Sequence, residues 1–458
     1  MSKYLYGASV QGIQDFIFKT NKLQEIVGAS EIVKGIGTVF EANYHPDEIL
    51  LNAAGNIKAI FSEDECNTVV KLFPKEMMEN AYGITISQAV IMIEGDTPTK
   101  EEFRDLDKQL KIQRNKPSMP LDVSLNIMEL NPATAKPISK IIKKDNDIIL
   151  LDKASEQKRD KFPKNEKYKE LKDLSNGKNK LAVIHADGNG LGKLIPQLGD
   201  KLSAFSVALN KATKEAFKEA KTEDMKIREV ILGGDDLTVI CDANEALTFT
   251  QKYLENFEKN TSKIKELEGL ADKLTACAGI AYINEKYPFH YAVSLAETLC
   301  GQSKKASNRE SSCLMFHNIQ SSNFQSWGKF VEDELTIRND KDTIRCDFGP
   351  YYIDKEGEPL VSKLQVSVGA YACEGSPISR LRKWMIELSK SSVYSENLLK
   401  RINEMTAQSN NWNCKIMHKN LENLYEKLSN ETLIVEKDGV LKTPIYDILQ
   451  ILSVTEAK

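Results

Sequence analysis

The order of elements predicted along this chain repeats, and that repeat constrains the fold more than any other feature. The first copy comprises a strand, a long helical stretch, a hairpin, a helix and a strand, at residues 3–10, 12–43, 48–62, 64–82 and 83–94. The second copy has the same order, at residues 180–186, 201–220, 228–241, 243–260 and 274–283. The order βαββαβ is that of a ferredoxin-like unit. The sequence therefore predicts an α+β protein with two such domains.

The rest of the chain is organised around these two copies. Four parts are expected: a first unit, a connector with a charged helix and a Lys-rich linker, a second unit, and a mostly helical C-terminal domain, at residues 1–95, 96–179, 180–318 and 319–458. In the last part, residues 380–405 and 413–429 carry apolar side chains at helical spacing. In the first copy, we expect the helical stretch to break near Gly28 and Gly35.

Three aspartates distinguish the second copy. Asp187 follows a short apolar run, residues 181–186, that is typical of a buried strand. Asp235 and Asp236 lie at the tip of the predicted hairpin, in the motif Gly-Gly-Asp-Asp. If the two strands are neighbours in one sheet, the three carboxylates meet at one edge and repel one another unless a cation lies among them. Hard oxygen ligands favour Mg²⁺ or Mn²⁺, so the pattern predicts a two-metal site for nucleotidyl transfer.

A glycine-rich turn follows Asp187. Gly188 and Gly190 flank Asn189, and backbone amides in such a turn suit a triphosphate. The spacing is not that of the Walker P-loop, and taken alone a turn of this kind is more often ordinary turn chemistry. Hairpin tips with aspartate are also common and solvated. The occurrence of both motifs in one copy favours a binding site over an ordinary turn and a solvated hairpin tip.

Two lysines close the helix that follows the last strand of the second copy. Lys304 and Lys305 either bind the phosphates of a nucleotide or only complement the helix dipole. His185 shares a strand face with Asp187, but a lone histidine in an apolar strand is more often a core residue.

The two copies can be aligned residue by residue. Positions equivalent to the three aspartates are occupied in the first copy by Ser9, Gly55 and Asn56. Since none of these carries a carboxylate, only the second unit is expected to bind metal.

Composition excludes several classes of protein. The net charge of −4 gives no global basic signature for nucleic acid. The eight cysteines are scattered without a Cys-x-x-Cys pair, so neither a disulfide framework nor zinc is expected. The chain shows neither a signal peptide nor an apolar run of membrane-spanning length, so we expect a cytoplasmic protein without membrane contact.

The motifs together resemble one family. Residues 185–193 (His-Ala-Asp-Gly-Asn-Gly-Leu-Gly-Lys), the Gly-Gly-Asp-Asp hairpin and Ser-Lys-Lys-Ala at 303–306 resemble the second palm domain of the large, polymerase-like subunit of type III CRISPR effector complexes. Residues 12–18 (Gly-Ile-Gln-Asp-Phe-Ile-Phe) resemble the first, degenerate palm of that family. More distantly, the hairpin is similar to the Gly-Gly-Asp/Glu-Glu-Phe hairpin of diguanylate cyclases.

The resemblance implies an enzyme that condenses ATP, or another NTP, into cyclic oligonucleotides such as cyclic oligoadenylate in antiviral defence. It implies that Asp187, Asp235 and Asp236 are catalytic and hold two Mg²⁺ or Mn²⁺ ions. The nucleotide-binding residues it implies are Gly188, Asn189, Gly190, Gly233, Gly234, Lys304 and Lys305. Effector subunits and guide RNA are further partners that it implies, and a homodimer is left open.

Two alternatives remain open from the sequence. One is a non-catalytic or RNA-controlled scaffold subunit of a type III CRISPR complex. The other is a template-directed polymerase, which the weak basic character disfavours. The first palm begins at the N-terminus and the five histidines are scattered, so DNA cleavage by a His-Asp nuclease domain is not expected.

Overall fold

The computed structural model describes residues 3–53, 55–116, 125, 127–144, 147–320, 326–408, 417–429 and 431–456. The chain forms two compact units, residues 1–170 and 171–458. The finer four-part division of the chain remains a prediction. Among the described residues, no helix is long and apolar enough to cross a membrane.

The first unit is built on a four-stranded antiparallel sheet. Its elements up to the last strand of this sheet are β1 (Lys3–Gln11), α1 (Ile13–Phe18), α2 (Leu23–Asn43), β2 (Glu48–Ala53), β3 (Asn56–Ser62), α3 (Glu63–Asn80) and β4 (Thr85–Ile93). The strand order β2-β3-β1-β4 is that of a ferredoxin-like fold, with β1 paired to both β3 and β4. The predicted βαββαβ order of the first copy is therefore confirmed.

The break predicted in the first helical stretch is in the wrong place. Residues 19–22 separate α1 from α2, and α2 runs without interruption through Gly28 and Gly35. Gly28 has a packing role instead, because a Cβ there would lie 1.6 Å from the carbonyl oxygen of Lys158. The glycine marks a close approach of two helices rather than the end of one.

The segment after β4 contains more structure than the sequence predicted. Its elements are α4 (Lys100–Arg114), β5 (Ile138–Lys144), β6 (Asp147–Asp152) and α5 (Lys153–Asp160). The predicted charged helix is confirmed as α4, which begins with a capping box formed by Thr99 and Glu102. The β5–β6 hairpin and α5 were not predicted, since the adjacent Ile141 and Ile142 break the alternation that marks a strand.

The second unit contains a six-stranded sheet. Its first elements are β7 (Lys180–Gly188), α6 (Leu191–Leu198), α7 (Leu202–Ala220), β8 (Ile227–Gly233), β9 (Asp236–Asp242), α8 (Ala246–Thr261), β10 (Ala276–Asn284), α9 (Phe289–Ala306) and β11 (Cys313–Asn318). The strand order is β11-β10-β7-β9-β8, and a short strand from the C-terminal part, β14 (Tyr351–Tyr352), pairs with β11 as the sixth strand. Within it, β10-β7-β9-β8 repeats the order β4-β1-β3-β2 of the first unit, so the second predicted copy is also confirmed.

Alternate side chains of β7 lie on opposite faces of the sheet, in two different environments. Ala182, Ile184 and Ala186 belong to the apolar core that includes residues of α7 and α8. Val183, His185 and Asp187 point to the opposite face. On that face α9 packs against β10, where a Cβ at Gly279 would lie 2.0 Å from the carbonyl oxygen of Ala296.

The C-terminal part is mostly helical, as predicted, but it also has strands. Its elements are α10 (Trp327–Asp333), β12 (Thr336–Arg338), β13 (Thr343–Arg345), β14 (Tyr351–Tyr352), α11 (Val361–Ala372), α12 (Ile378–Leu388), α13 (Ser392–Gln408), α14 (Met417–Leu424), β15 (Val435–Lys437), β16 (Val440–Lys442) and α15 (Ile445–Val454). The predicted helix 380–405 is in fact two helices, α12 and α13. For the predicted helix 413–429, residues 413–416 lie outside the described residues and α14 covers part of the rest. The sheet β12-β13-β16-β15 was not predicted.

The strand pairing confirms the alignment of the two copies. Ser9 lies opposite Asn56 in the first unit. In the second unit the β7–β9 register ends with Ala186 opposite Leu237, which makes Asp187 and Asp236 the next positions. The two hairpin turns are closed by equivalent pairs, Ala53 with Asn56 and Gly233 with Asp236.

Candidate active site

The three aspartates of the second unit converge, as predicted. Asp187 is the penultimate residue of β7, and Asp236 is the first residue of β9. Asp235 lies in the two-residue turn between β8 and β9. One oxygen of each carboxylate lies within 4.8 Å of the others. Because β7 and β9 are hydrogen-bonded neighbours, the strand pairing itself brings the two motifs to one edge of the sheet.

The hairpin turn is held by a residue that the sequence did not single out. Gly234 has a φ of +64°, a conformation that glycine adopts without strain. Its carbonyl oxygen accepts a hydrogen bond of 2.6 Å from Oγ1 of Thr213, which is fully buried on α7. A threonine within a helix gives no signal for this role, since its partner is known only once the hairpin has packed on α7.

Gly188 is required for the approach of the two motifs. A Cβ on this residue would lie 2.9 Å from Cβ of Asp235 and 3.1 Å from its Oδ2. A side chain at position 188 therefore displaces Asp235 or the turn that carries it. Gly192, two residues into α6, has open space around its Cβ position. A side chain is therefore excluded by close contacts at position 188 but accommodated at position 192.

The carboxylates lie in an environment that opposes their ionisation. Burial raises the pKa of Asp235 well above its usual range, and a hydrogen bond to Asp187 and the charge of Asp236 raise it further. Although Asp236 keeps an exposed surface, loss of water around its carboxyl raises its pKa to about 6, and Asp187 adds to the rise. A divalent cation would remove this penalty by neutralising the charges.

Lys304 lies against the acids, whereas Lys305 does not. The ammonium group of Lys304 donates to Oδ2 of Asp187 and, at 2.8 Å, to the carbonyl oxygen of Gly188. Lys304 is only 6% exposed, and its charge opposes the rise in the pKa of Asp236. Lys305 is exposed in the last turn of α9. Phosphate binding by either lysine remains a prediction.

The other predicted nucleotide-binding residues lie in the turn and the hairpin. The backbone N–H of Asn189 donates to the carbonyl oxygen of Thr275 at 2.8 Å, and its Nδ2 donates to Oγ1 of the same threonine at 3.0 Å. Asn189 thus fastens the turn to the segment before β10. Gly190, with a φ of +75°, precedes the first residue of α6. Gly233 is the last residue of β8.

His185 is a buried core residue, as expected for a lone histidine in an apolar strand. Its Nδ1 lies 3.1 Å from Oγ1 of Thr238. Burial lowers the pKa of His185 to about 4. The ring is therefore neutral at physiological pH, and a neutral imidazole is a poor proton donor for acid catalysis.

The donor set fits a hard divalent cation. Three carboxylates within reach of one another match the oxygen ligands that Mg²⁺ and Mn²⁺ prefer. The raised pKa values of Asp235 and Asp236 are consistent with a cluster whose negative charge Lys304 offsets only in part. The arrangement suits the binding of metal ions together with a polyphosphate.

Known proteins resemble this chain in residues 180–313 and in the fold. Residues 180–313 match the second palm domain of the Cas10/Cmr2 family. No curated protein matches the chain. The chain is similar to solved structures of the Csm1–Csm4 cassette in complex with AMPPNP (TM-score 0.55, 12% identity, 99% of this chain and 70% of the other) and with cA4 (TM-score 0.54, 11% identity, the same coverage). A third, the cassette in complex with cA3, has a TM-score of 0.53 at 13% identity, with the same coverage.

At these identities the structural likeness shows the fold alone, which is that of two palm domains with a helical region. The resemblance to the Cas10/Cmr2 family rests on residues 180–313, where the three aspartates and Lys304 lie. Over these residues the chain is therefore Cas10-like, similar to the second palm domain of that family.

Proposed function

We propose that the second palm condenses ATP, or another NTP, into cyclic oligonucleotides, and that Asp187, Asp235 and Asp236 hold two Mg²⁺ or Mn²⁺ ions for this reaction. The observation that carries the proposal is the convergence of three carboxylates within 4.8 Å in a Cas10/Cmr2 second palm. When bound, the ions would acidify the attacking hydroxyl of one nucleotide and offset charge on the α-phosphate of the next. The solved cassettes with AMPPNP, cA4 and cA3 support the substrate class.

The remaining residues position the substrate. Gly188, Asn189 and Gly190 form the turn beside which the phosphates would lie. The backbone amide of Asn189 holds this turn on Thr275 and does not bind the phosphates itself. Gly233 and Gly234 keep the hairpin free of side chains that would obstruct a nucleotide. These roles extend the observed geometry to a bound nucleotide.

The partner that fits this proposal is another subunit of a type III CRISPR complex. The matched structures are cassettes of Csm1 with Csm4, and one belongs to the type III-A CRISPR-Csm interference complex. Copurification of RNA and of a second subunit with the native chain tests whether guide RNA controls the activity. A chain that purifies alone and is active without RNA would contradict the subunit role but leave the enzyme in place.

The test of the enzyme is direct. The purified chain is incubated with each NTP and Mn²⁺ or Mg²⁺, and products are resolved by mass spectrometry, beside the Asp235→Ala/Asp236→Ala variant. We expect a cyclic product that falls by more than about a thousandfold in the variant, because only one of the three carboxylates remains to hold the ions. An equal yield from both proteins contradicts the site. A chain that makes no product and binds no ATP in the presence of metal supports the scaffold instead.

A further inference from the structure

Lys304 is delivered to the acids by a rigidly packed helix. Where α9 crosses β10, a Cβ at Gly279 would lie 2.6 Å from the backbone nitrogen of Cys300, so the helix rests directly on the strand. One residue before the lysine, the fully buried Ser303 donates to the carbonyl oxygen of Ala278 at 3.3 Å. The helix is therefore held in place, and it keeps the base of the Lys304 side chain beside the acids.

The two oxygen atoms that Lys304 contacts are of the kind that bind metal. They are a carboxylate oxygen of Asp187 and the carbonyl oxygen of Gly188, both hard donors suited to Mg²⁺ or Mn²⁺. Each of these oxygens has two lone pairs, but an ammonium group and a metal ion bound to the same two atoms lie within a few ångströms of each other and repel. While Lys304 remains there, its charge therefore weakens the binding of a second ion to Asp187 and to the carbonyl oxygen of Gly188.

The net charge of the site also favours one divalent cation over two when no nucleotide is bound. Three ionised carboxylates and one ammonium group carry a net charge of −2, which one divalent cation neutralises. A second cation added to this group leaves an excess of positive charge in a partly buried site, which is unfavourable until a polyanion arrives. A nucleoside triphosphate is such a polyanion, and the flexible stem of lysine allows its ammonium group to turn to a phosphate.

We propose that the Lys304 ammonium group occupies the second cation position of this site, so that the chain without nucleotide binds one divalent cation, and that a triphosphate draws Lys304 off Asp187 and admits the second. The inference rests on the proposed function, because it assumes that the acids bind metal. It assigns Lys304 a role in the order of binding: first metal, then nucleotide with the second metal.

Mn²⁺ titration of the metal-free full chain, followed by the electron paramagnetic resonance signal of free Mn²⁺, counts the ions without any turnover. We expect one tightly bound ion in the wild type, and two when a non-hydrolysable ATP analogue is present. In Lys304→Met, which keeps the length but not the charge, the second ion should bind about tenfold more tightly than in the wild type without nucleotide. Lys286→Met is the matched control, since it removes an exposed lysine before the other end of α9 and should leave the count at one.

Two outcomes overturn the inference: two ions of similar affinity in the nucleotide-free wild type, or a second site in Lys304→Met no tighter than in the wild type. The nucleotide-dependent count needs no variant, so it decides the question even if Lys304→Met fails to fold. Failure of the proposed function looks different. In that case the wild type binds no Mn²⁺ with or without the analogue, and Asp235→Ala/Asp236→Ala does not differ from it.

Discussion

The two palms of this chain have the same frame and opposite chemistry at the same place. In the second palm, Asp187 and the hairpin acids face the ammonium group of Lys304. In the first, Oγ of Ser9 donates to Oδ1 of Asn56 at 2.8 Å and accepts a hydrogen bond of 2.8 Å from Nη2 of Arg114. In both units the cation comes from the end of the helix that follows the last palm strand, α4 or α9.

The difference shows how a ligand-binding site lowers the stability of the fold that carries it. The neutral pair of the first palm satisfies its own hydrogen bonds, so it needs no ligand. The acids of the second palm repel one another, and the raised pKa values of Asp235 and Asp236 indicate that the folded chain disfavours the charged forms of these two side chains. Strain of this kind persists where a function requires it. We infer that the first palm keeps the frame for stability and the second keeps it for chemistry.

The largest effect is expected from closing the gap that the second palm keeps open at Gly188. In Gly188→Ala the new Cβ would lie 2.9 Å from Cβ of Asp235, so the turn must shift. A displacement of about 1 Å in a catalytic group can lower activity about a hundredfold. Product formation and Mn²⁺ affinity should both fall while circular dichroism shows a folded chain.

Gly192→Ala provides the matched control for that experiment. It adds the same methyl group four residues along the chain, where nothing lies within 4 Å and the residue is already helical. Activity should stay close to that of the wild type. Equal losses in both variants would show that the turn needs glycine for flexibility rather than for the approach of Asp235.

A smaller effect is expected when the second palm is made to resemble the first. Asp235→Asn/Asp236→Asn, measured with a chelator at pH 7.5, should raise the melting temperature by about 3–6 °C, because the repulsion is gone. A carboxyl with a raised pKa stabilises the folded state below that pKa, and this contribution is lost as the pH rises through it. Since the pKa of Asp236 is about 6, the gain should shrink at pH 5, where the wild-type acids are protonated.

Thermal unfolding at both pH values checks this. A gain that is the same at pH 5 and pH 7.5 would contradict a charge-based cause. Mn²⁺ should raise the melting temperature of the wild type and change that of the variant much less, because the variant keeps only one of the three carboxylates.

The smallest effect is expected in the first palm. Ser9→Ala removes two hydrogen bonds from a residue that is 5% exposed, and each is worth about 0.5 kcal/mol, the lower end of the usual range. The melting temperature should fall by about 2–4 °C. Mn²⁺ binding should not change, and a change of more than a few-fold would show that the first palm takes part in the metal site.

The site was predictable as far as strand order reaches. Asp187 lies near the end of β7, and Asp236 is the first residue of the neighbouring strand β9. Once the strands were recognised as neighbours, the acids were therefore expected to lie close together. The partner of Lys304 was not predictable, because Asp187 lies 117 residues away and the contact depends on where α9 crosses the sheet. Thr213 was missed for the same reason, since its hydrogen bond to Gly234 joins a helix to a hairpin.

The sequence alone determined the two βαββαβ units, the register that equates Ser9 and Asn56 with Asp187 and Asp236, and the meeting of the acids. These follow from local alternation, turn residues and strand order, which are written in consecutive positions. Only the tertiary structure decided where the ammonium group of Lys304 lies, why Gly188 must be glycine, and that the β5–β6 hairpin and the C-terminal sheet form. Those features depend on contacts between distant segments, which become defined only when the elements have packed.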